Sequence, residues 1–203
     1  MEKIKERLAP IKFPVCILLF SGKRKSGKDY ITDRIFDRLG KDNAAMIKIS
    51  APIKTHWAEK HDLNFEELMG TGEYKEKHRQ DMIKWSEDIR QKDCGYFCQA
   101  AVEMFNAHEK PVWIVSDTRR RSDLKWFKEN YGNAVKTVRV LADDDVRTQR
   151  GWVFTTGIDD AETECDLDGL TDWDWSILNN GSEPELENGM QNIVSWVNST
   201  LSL

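Results

Sequence analysis

The stretch SGKRKSGKD, Ser21 to Asp29, matches all but the last position of the pattern G-x-x-x-x-G-K-[ST]. Gly22, Gly27 and Lys28 fall in register, whereas Asp29 stands where a serine or threonine is expected. In such loops the glycines let successive backbone N–H groups face an anion, and the lysine reaches the terminal phosphates. The stretch therefore predicts a phosphate-binding loop; the alternative is a glycine-containing surface turn with chance basic residues.

The segments on either side of this loop support the prediction. VCILLF, at Val15–Phe20, is an apolar run of strand length. KDYITDRIFDRL, at Lys28–Leu39, has apolar residues at helical spacing, and Gly40 follows as a helix stop. A buried strand, a glycine loop and a helix in this order place the helix N-terminus against the bound phosphate.

Apolar runs and amphipathic segments alternate along the rest of the chain. We predict strands at Ala45–Ser50, Pro111–Asp117, Ala134–Ala142 and Trp175–Asn180, and helices at Pro52–His61, Tyr74–Gln91, Leu124–Tyr131 and Glu185–Leu201. Strands separated by helices predict an α/β fold with a mainly parallel five-stranded sheet flanked by helices. The length fits a single domain, residues 1–203, with mobile regions expected at about 52–98 and 143–151.

The composition excludes several classes of function. A net charge of −5 argues against nucleic-acid binding by bulk attraction. The longest apolar run, at Phe13–Phe20, is too short to span a bilayer, and the preceding residues do not resemble a signal peptide. The four cysteines show neither a disulfide framework nor zinc-ligand spacing. We therefore expect a cytoplasmic protein, acting as a monomer, that binds neither nucleic acid nor membranes.

Acidic and basic residues of the loop are the first candidates for a site. Lys23, Arg24 and Lys25 join Lys28 to give the loop four cations. Asp29 falls in the first helical turn, where its carboxylate either orients Mg²⁺, directly or through water, or only interacts with the helix dipole. We take Mg²⁺ as the prediction.

The stretch SDTRRRSD, after the third predicted strand, adds further candidates because ligands sit beyond the carboxyl ends of parallel strands. Asp117 would face the phosphates and the metal, and Arg119 and Arg120 carry guanidinium forks that suit phosphate. The alternative is an aspartate at a helix start with solvated arginines. For Arg121 we favour that alternative.

Other basic residues follow the second strand. Lys54 lies beyond it, and Arg79 and Arg90 are eleven residues apart, which spaces them by about three helical turns on one face. These residues are candidates for a second phosphate, and a solvated helix face is the alternative.

Arginines also bracket the end of the fourth strand. Arg139, Arg147 and Arg150 belong either to a lid that closes over a nucleotide or to an exposed helix of mixed charge.

The residues from Asp159 to Asp174 contain eight carboxylates and no base, and they lack the EF-hand spacing. We predict a solvated acidic segment there.

Five stretches in this order, SGKRKSGKDY, KISAPIK, YKEKHRQDMIKW, VSDTRRRSDLKWF and RGWVFTTGIDDAETECDLD, resemble the animal-type phosphomevalonate kinases. The resemblance runs from about residue 15 to the C-terminus. It implies a P-loop fold like that of the nucleoside-monophosphate kinases. It also implies transfer of the γ-phosphate of ATP to (R)-5-phosphomevalonate, giving 5-diphosphomevalonate and ADP, with Mg²⁺ as cofactor.

The resemblance assigns roles to residues of this chain. ATP binding falls to Gly22, Lys23, Arg24, Lys25, Ser26, Gly27, Lys28, Asp29, Arg147, Arg150 and Asn180. Binding of 5-phosphomevalonate falls to Lys54, Arg79, Arg90, Arg119, Arg120 and Asn179, and Arg139 belongs to the same basic set. We predict Lys28, Arg24, Arg119 and Arg120 to be catalytic, and Asp29 and Asp117 to hold the metal. Two positions depart from the human-type pattern, in which Gln99 is replaced by Arg and Asn180 by His.

The expected mechanism is positioning and charge neutralisation. Two unit charges 4 Å apart repel by about 4 kcal/mol at an effective dielectric near 20, and both substrates are polyanions. We expect Lys23, Arg24 and Lys25 to face the acceptor phosphate while Lys28 faces the donor.

The alternatives are another small-molecule or nucleoside-monophosphate kinase of the same fold, and a non-catalytic nucleotide-binding regulator. The expected location is the cytosol; the final residues Leu201–Leu203 match a peroxisomal signal poorly.

Overall fold

A computed structural model describes residues 14–69 and 73–202 of the chain. Its sheet is formed by β1 (Cys16–Gly22), β2 (Ala44–Ile47), β3 (Val112–Val115), β4 (Val135–Leu141) and β5 (Trp175–Leu178). The strand order is β2-β3-β1-β4-β5, and every pairing in the sheet is parallel. The predicted α/β fold with a five-stranded parallel sheet is therefore confirmed.

Helices connect the strands within the described residues. They are α1 (Lys28–Leu39), α2 (Ser50–His61), α3 (Phe65–Met69), α4 (Glu73–Lys92), α5 (Tyr96–Met104), α6 (Arg121–Tyr131), α7 (Asp144–Gln149), α8 (Glu162–Cys165) and α9 (Glu183–Leu201), with short 3-10 helices at Ala107–Glu109 and Gly132–Ala134. No helix of the described residues combines the length and the hydropathy needed to cross a membrane.

Alternate residues of β1 pack on opposite faces of the sheet, as a strand period of two requires. Leu18 joins a buried cluster with Ile31 of α1 and Met190 of α9. Ile17 joins a second cluster with Phe97 of α5 on the other face. Both faces are covered, which accounts for the continuous apolar character of β1.

A third, smaller cluster lies away from the sheet. Trp57 of α2, Leu68 of α3 and Met82 of α4 form it, and Trp85 packs against both this cluster and the core on the α5 face. This small core packs α2, α3 and α4 together beside the sheet.

The structure differs from the sequence prediction mainly at the ends of elements. β2 ends at Ile47, so Ser50 begins α2 instead of ending a strand, and β5 ends at Leu178. α5 was not predicted, although its buried residues, Phe97, Cys98, Ala101 and Val102, follow a helical period. The residues before Pro14, which we judged unlike a signal peptide, lie outside the described residues.

Candidate functional site

A cleft of about 280 Å³ opens at the carboxyl edge of the sheet, between the phosphate-binding loop, α2, α4 and the start of α6. Eight of the predicted site residues line it, namely Lys28, Asp29, Lys54, Arg79, Arg90, Asp117, Arg119 and Arg120. They come from four separate parts of the sequence, and the parallel sheet brings them to one edge. Six of the eight are cations, so the cleft is built for an anionic ligand.

The loop between β1 and α1 has the backbone of an anion-binding turn. Gly27 has a positive φ of 85°, and a Cβ there would lie 2.2 Å from Nδ2 of Asn179. A Cβ on Gly22 would lie 2.7 Å from Oγ of Ser26 and 2.9 Å from the carbonyl of Val140. Both glycines are therefore required by close contacts, and the loop leads directly into the N-terminus of α1.

Lys28 and Asp29 form an ion pair at this helix start. The Lys28 side chain is 13% exposed, whereas that of Asp29 is 75% exposed. Desolvation would raise the pKa of the Asp29 carboxyl, but Lys28, Lys48 and Arg119 outweigh it and hold the pKa below its ordinary value. Asp29 is consequently an ionised, accessible carboxylate at neutral pH.

The carboxylates at this edge of the sheet suit magnesium only as one or two ligands that act together with phosphate and water. No group of three or more acidic, histidine or cysteine side chains able to hold a metal occurs among the described residues. Mg²⁺ is commonly held by one or two carboxylates together with substrate phosphates and water, and an accessible Asp29 suits that arrangement.

Asp117 has a second function that the sequence did not indicate. Its two carboxylate oxygens accept hydrogen bonds from the backbone N–H groups of Ile49, at 2.6 Å, and Ser50, at 3.0 Å. It thereby fixes the start of α2 to the end of β3. Any role toward a metal would be additional to these contacts.

Three arginines of the cleft lining are paired with carboxylates. Arg90 donates to Asp123 at 2.7 Å, and both side chains are buried. Arg120 lies 2.5 Å from Glu87, and Arg119 contacts Glu164.

The pKa values of Arg90 and Arg119 are shifted in opposite directions. Burial would lower the pKa of Arg90, but Asp123 outweighs it and raises the pKa above its ordinary value. Desolvation, with Arg79 and Arg24 adding to it, lowers the pKa of Arg119 despite the nearby Asp117 and Asp29. Arginine stays protonated in either case, so both side chains bring a positive charge to the cleft lining.

Lys23 and Arg24 are not part of the cleft lining and pair with the segment Asp159–Asp168. Lys23 donates to the Asp168 carboxylate at 2.5 Å and to the Glu164 carbonyl at 2.9 Å. Arg24 donates to Asp159 at 2.9 Å. Carboxylates more than 130 residues later in the chain thus pair with these two cations, and the expectation that they face the acceptor phosphate stays a prediction.

The acidic segment is solvated only in part, because Asp160, Glu162 and Asp172 are exposed whereas Asp159 is buried. The Asp159 carboxylate also accepts from Nε1 of Trp152, at 3.0 Å, and from the backbone of Thr155, at 2.8 Å. Although desolvation opposes it, these hydrogen bonds and Arg24 lower the pKa of Asp159. Lys25, the third extra cation, is exposed and has a positive φ of 62°.

The predicted lid arginines contact the loop directly. Arg147, on α7, donates from Nε to the carbonyl of Arg24 at 2.8 Å and lies 3.8 Å from the ring centre of Trp152. Arg150 donates to the carbonyl of Ser26, at 3.3 Å, and to that of Asn179, at 2.8 Å. The segment is therefore a short helix that packs on the loop.

The two asparagines after β5 have different neighbours. Asn179 is buried and donates from Nδ2 to the carbonyl of Ser26 at 2.8 Å. This hydrogen bond supports the backbone of the loop. It is not among the residues that line the cleft. Asn180 bonds both the backbone and the carboxylate of Asp143, at 2.9 and 2.7 Å, at the start of the lid segment.

Arg139 and Gln99 also lie outside the cleft lining. Arg139 donates to Oγ of Ser21 at 2.9 Å and to Asp168 at 2.8 Å, which ties β4 to the loop. Gln99 lies on α5 and donates to Glu103 one turn later.

Sequence reasoning missed several residues of the cleft, among them Lys48, Ser116, Asp123 and Thr163. Lys48 directly follows β2, so the same rule that selected Asp117 would have found it. Thr163 carries no signal of its own, because only the fold of the acidic segment brings it to the cleft.

Comparison with known proteins agrees with this geometry. The family model described as phosphomevalonate kinase matches residues 20–133, a range that contains the loop and every residue of the cleft lining except Thr163. The phosphomevalonate kinase of Drosophila melanogaster is 47% identical over 173 residues, which cover 84% of this chain and 91% of that protein.

Solved structures resemble the chain at much lower identity. The crystal structure of APE1195 has a TM-score of 0.51 at 14% identity and covers 94% of this chain and 98% of its own, which bears on the fold alone. A gluconokinase from Sinorhizobium meliloti 1021 has a TM-score of 0.48 at 15% identity, covering 92% and 97% of the two chains.

Proposed function

The chain belongs to the phosphomevalonate kinase family, and we propose that it transfers the γ-phosphate of ATP to (R)-5-phosphomevalonate. The products are 5-diphosphomevalonate and ADP, on the mevalonate route to isoprenoids and sterols. The observation that carries this proposal is the cleft in which the loop residues Lys28 and Asp29 meet Arg119 and Arg120. A donor site and a site for a second phosphate share one cavity there.

The cleft suits a reaction between two anions. The acceptor is a phosphate monoester and a competent nucleophile once ionised, so the protein's task is to bring it to the donor against charge repulsion. Repulsion of about 4 kcal/mol per pair of unit charges at 4 Å sets the scale of that task. Lys28 from the donor side and Arg119 and Arg120 from the acceptor side would offset it.

Lys54, Arg79 and Arg90 would complete the acceptor site, because they line the wall formed by α2 and α4. Arg147 and Arg150 would hold the nucleotide side, since both already contact the loop backbone. Asn179 would act by supporting the loop and Asn180 by fixing the lid start, rather than through the cleft.

Asp29 is the residue we assign to Mg²⁺, with Asp117 as a second carboxylate at the same edge. When bound, the ion would neutralise phosphate charge and orient the donor. The protein's own contribution is the accessible, ionised carboxylate of Asp29 at the N-terminus of α1.

Location and assembly are part of the same proposal. All four cysteines lie in the described part of the chain as free thiols, which suits a reducing cytosol. We expect the purified protein to elute as a monomer in size-exclusion chromatography and to fractionate with cytosolic markers, not with peroxisomes.

The test is ADP production by the purified protein with ATP and Mg²⁺, using a coupled assay. We expect turnover with 5-phosphomevalonate and none with mevalonate or CMP. Lys28→Met, prepared in parallel, controls for contaminating kinases. Turnover with CMP in place of 5-phosphomevalonate would instead assign a nucleoside-monophosphate kinase. ATP binding without ADP release would indicate a non-catalytic regulator.

A further inference from the structure

Asp123 is a buried acidic residue in the wall of the cleft. It lies in the first turn of α6, its relative exposure is 1%, and it is one of the cleft-lining residues. A buried carboxylate is costly unless it is paired and hydrogen-bonded, so its contacts reveal what it stabilises.

One carboxylate oxygen of Asp123 faces α4. Oδ1 accepts from Nη1 of Arg90 at 2.7 Å, and the Cys98 thiol lies 3.7 Å from the same oxygen. The Arg90 side chain is itself buried, so the pair is shielded from solvent and its geometry is well defined.

The other carboxylate oxygen faces the turn that precedes α6. Oδ2 accepts from the backbone N–H groups of Arg120, at 3.2 Å, and of Arg119, at 3.4 Å. The turn that presents these two guanidinium groups to the cleft is therefore tied to the same carboxylate as Arg90.

Helix capping explains only half of this arrangement. An acidic residue at the third helical position often accepts from the backbone N–H at the helix start, which accounts for Oδ2. Capping does not account for Oδ1, which reaches a buried arginine 33 residues earlier in the sequence. Asp123 thus joins two elements that each supply acceptor-side cations.

We propose that Asp123 is a positioning residue that holds Arg90, Arg119 and Arg120 in the relative geometry required to bind the acceptor phosphate. This inference rests on the proposed function, because it takes the cleft to be the acceptor site. Guanidinium forks recognise phosphate through oriented hydrogen bonds, and misplacement of a binding group by about 1 Å can cost about 100-fold in rate.

Asp123→Asn is the main test, because it keeps the shape of the side chain and removes its charge. We expect the KM for 5-phosphomevalonate to rise about tenfold or more and the KM for ATP to stay within about twofold. Asp123→Glu, which keeps the charge but displaces it by one methylene group, should give a smaller rise. Each variant is assayed well below its own melting midpoint.

Asp174→Asn is the matched control. Asp174 also accepts from a backbone N–H, that of Thr137 at 2.8 Å, and pairs with Lys136 at 2.9 Å, but it is not part of the cleft lining. Its loss should lower stability and leave both KM values unchanged. A residue that is only structural would give this same result at Asp123, and that outcome would overturn the proposal.

A double-mutant cycle with Arg90→Met adds a second measurement. If Asp123 acts through Arg90, the effects of the two substitutions on kcat/KM for the acceptor should be clearly less than additive. Full additivity would contradict the proposal.

Failure of the proposed function is distinguishable from failure of this inference. If the wild type does not phosphorylate 5-phosphomevalonate, the proposed function fails. Inorganic phosphate, added with a non-hydrolysable ATP analogue, then probes the cleft without any assumption about the acceptor. We expect it to raise the melting midpoint of the wild type more than that of Asp123→Asn. Equal shifts would overturn the positioning role.

Discussion

The two sides of the phosphate-binding loop use cations for different purposes. Lys28 and Arg119 belong to the lining of a cleft in which cations outnumber carboxylates. Lys23 and Arg24 lie outside that lining and are paired with Asp168 and Asp159. Residue type alone does not separate a cation that lines the cleft from one that holds the fold. Pairing does not separate them either, because Lys28 and Arg119 also contact carboxylates, those of Asp29 and Glu164. The position of each side chain relative to the cleft makes that distinction.

Substitution on the cleft side should have the largest effect. Lys28→Met should reduce kcat by about 100-fold to 1,000-fold or more, because it removes a cation aimed at the transferred phosphate. Its protein partner is the exposed Asp29, so the melting midpoint should change little. The measurement is steady-state ADP release with a parallel thermal melt. A variant that keeps wild-type kcat would end the assignment of Lys28.

Substitution of Arg120 tests the part of the cleft that we assign to the acceptor phosphate. Arg120→Met should lose more than about 1.5 kcal/mol in kcat/KM for 5-phosphomevalonate, the scale of a charge-assisted hydrogen bond. The neighbouring Arg121→Met is the control, since the Arg121 side chain is 55% exposed, bonds Asp166 and does not line the cleft. Equal kinetic losses in the two variants would erase the distinction between cleft and surface arginines.

Substitution of Asp159 tests the pairing of Arg24, a loop cation outside the cleft lining. Asp159→Asn should lower the free energy of unfolding by about 1–3 kcal/mol, because it disrupts buried hydrogen bonds to Trp152 and Thr155 as well as the pair with Arg24. The KM for the acceptor should stay near the wild-type value. Urea unfolding and steady-state kinetics on one preparation check both points. A large rise in acceptor KM with unchanged stability would place Arg24 on the acceptor side after all.

The smallest expected effect is on the acid dependence of stability. The folded-state pKa values of Asp159 and Asp174 are lowered, by hydrogen bonds and nearby cations that outweigh desolvation. Their stabilisation is therefore present above the unfolded-state pKa, about 3.9, and is lost as the pH falls below that value toward the folded-state pKa. Urea unfolding at about pH 5 and about pH 3 measures the loss. Asp159→Asn should lose less stability than the wild type over this interval, and an identical loss would contradict the assignment.

Local patterns predicted the parts of the fold that depend on local physics. α1 runs from Lys28 to Leu39 with Gly40 after it, as the spacing predicts, because an amphipathic period and a helix stop are both written in a dozen residues. The sheet followed from alternation of strands and helices. The rule that ligands sit at carboxyl strand ends selected Asp117 and Arg119, and both line the cleft at that edge.

The remaining features depend on distant residues. The direction of Lys23 is set by Asp168, and no local pattern connects positions so far apart. Asn179 looked like a ligand contact at a strand end, yet the close approach of Gly27 puts its amide beneath the loop. Sequence reasoning did not select Asp123, because only the fold brings Arg90, 33 residues earlier, to its carboxylate.

The support of the loop by Asn179 has a consequence for the order of events during synthesis. The loop leaves the ribosome about 150 residues before its supporting amide. A nascent chain that ends before Asn179 therefore contains the complete loop sequence without the contact that fixes the Ser26 carbonyl. Competence to hold the nucleotide should accordingly arise only after Asn179 has been synthesised and β5 has joined the edge of the sheet.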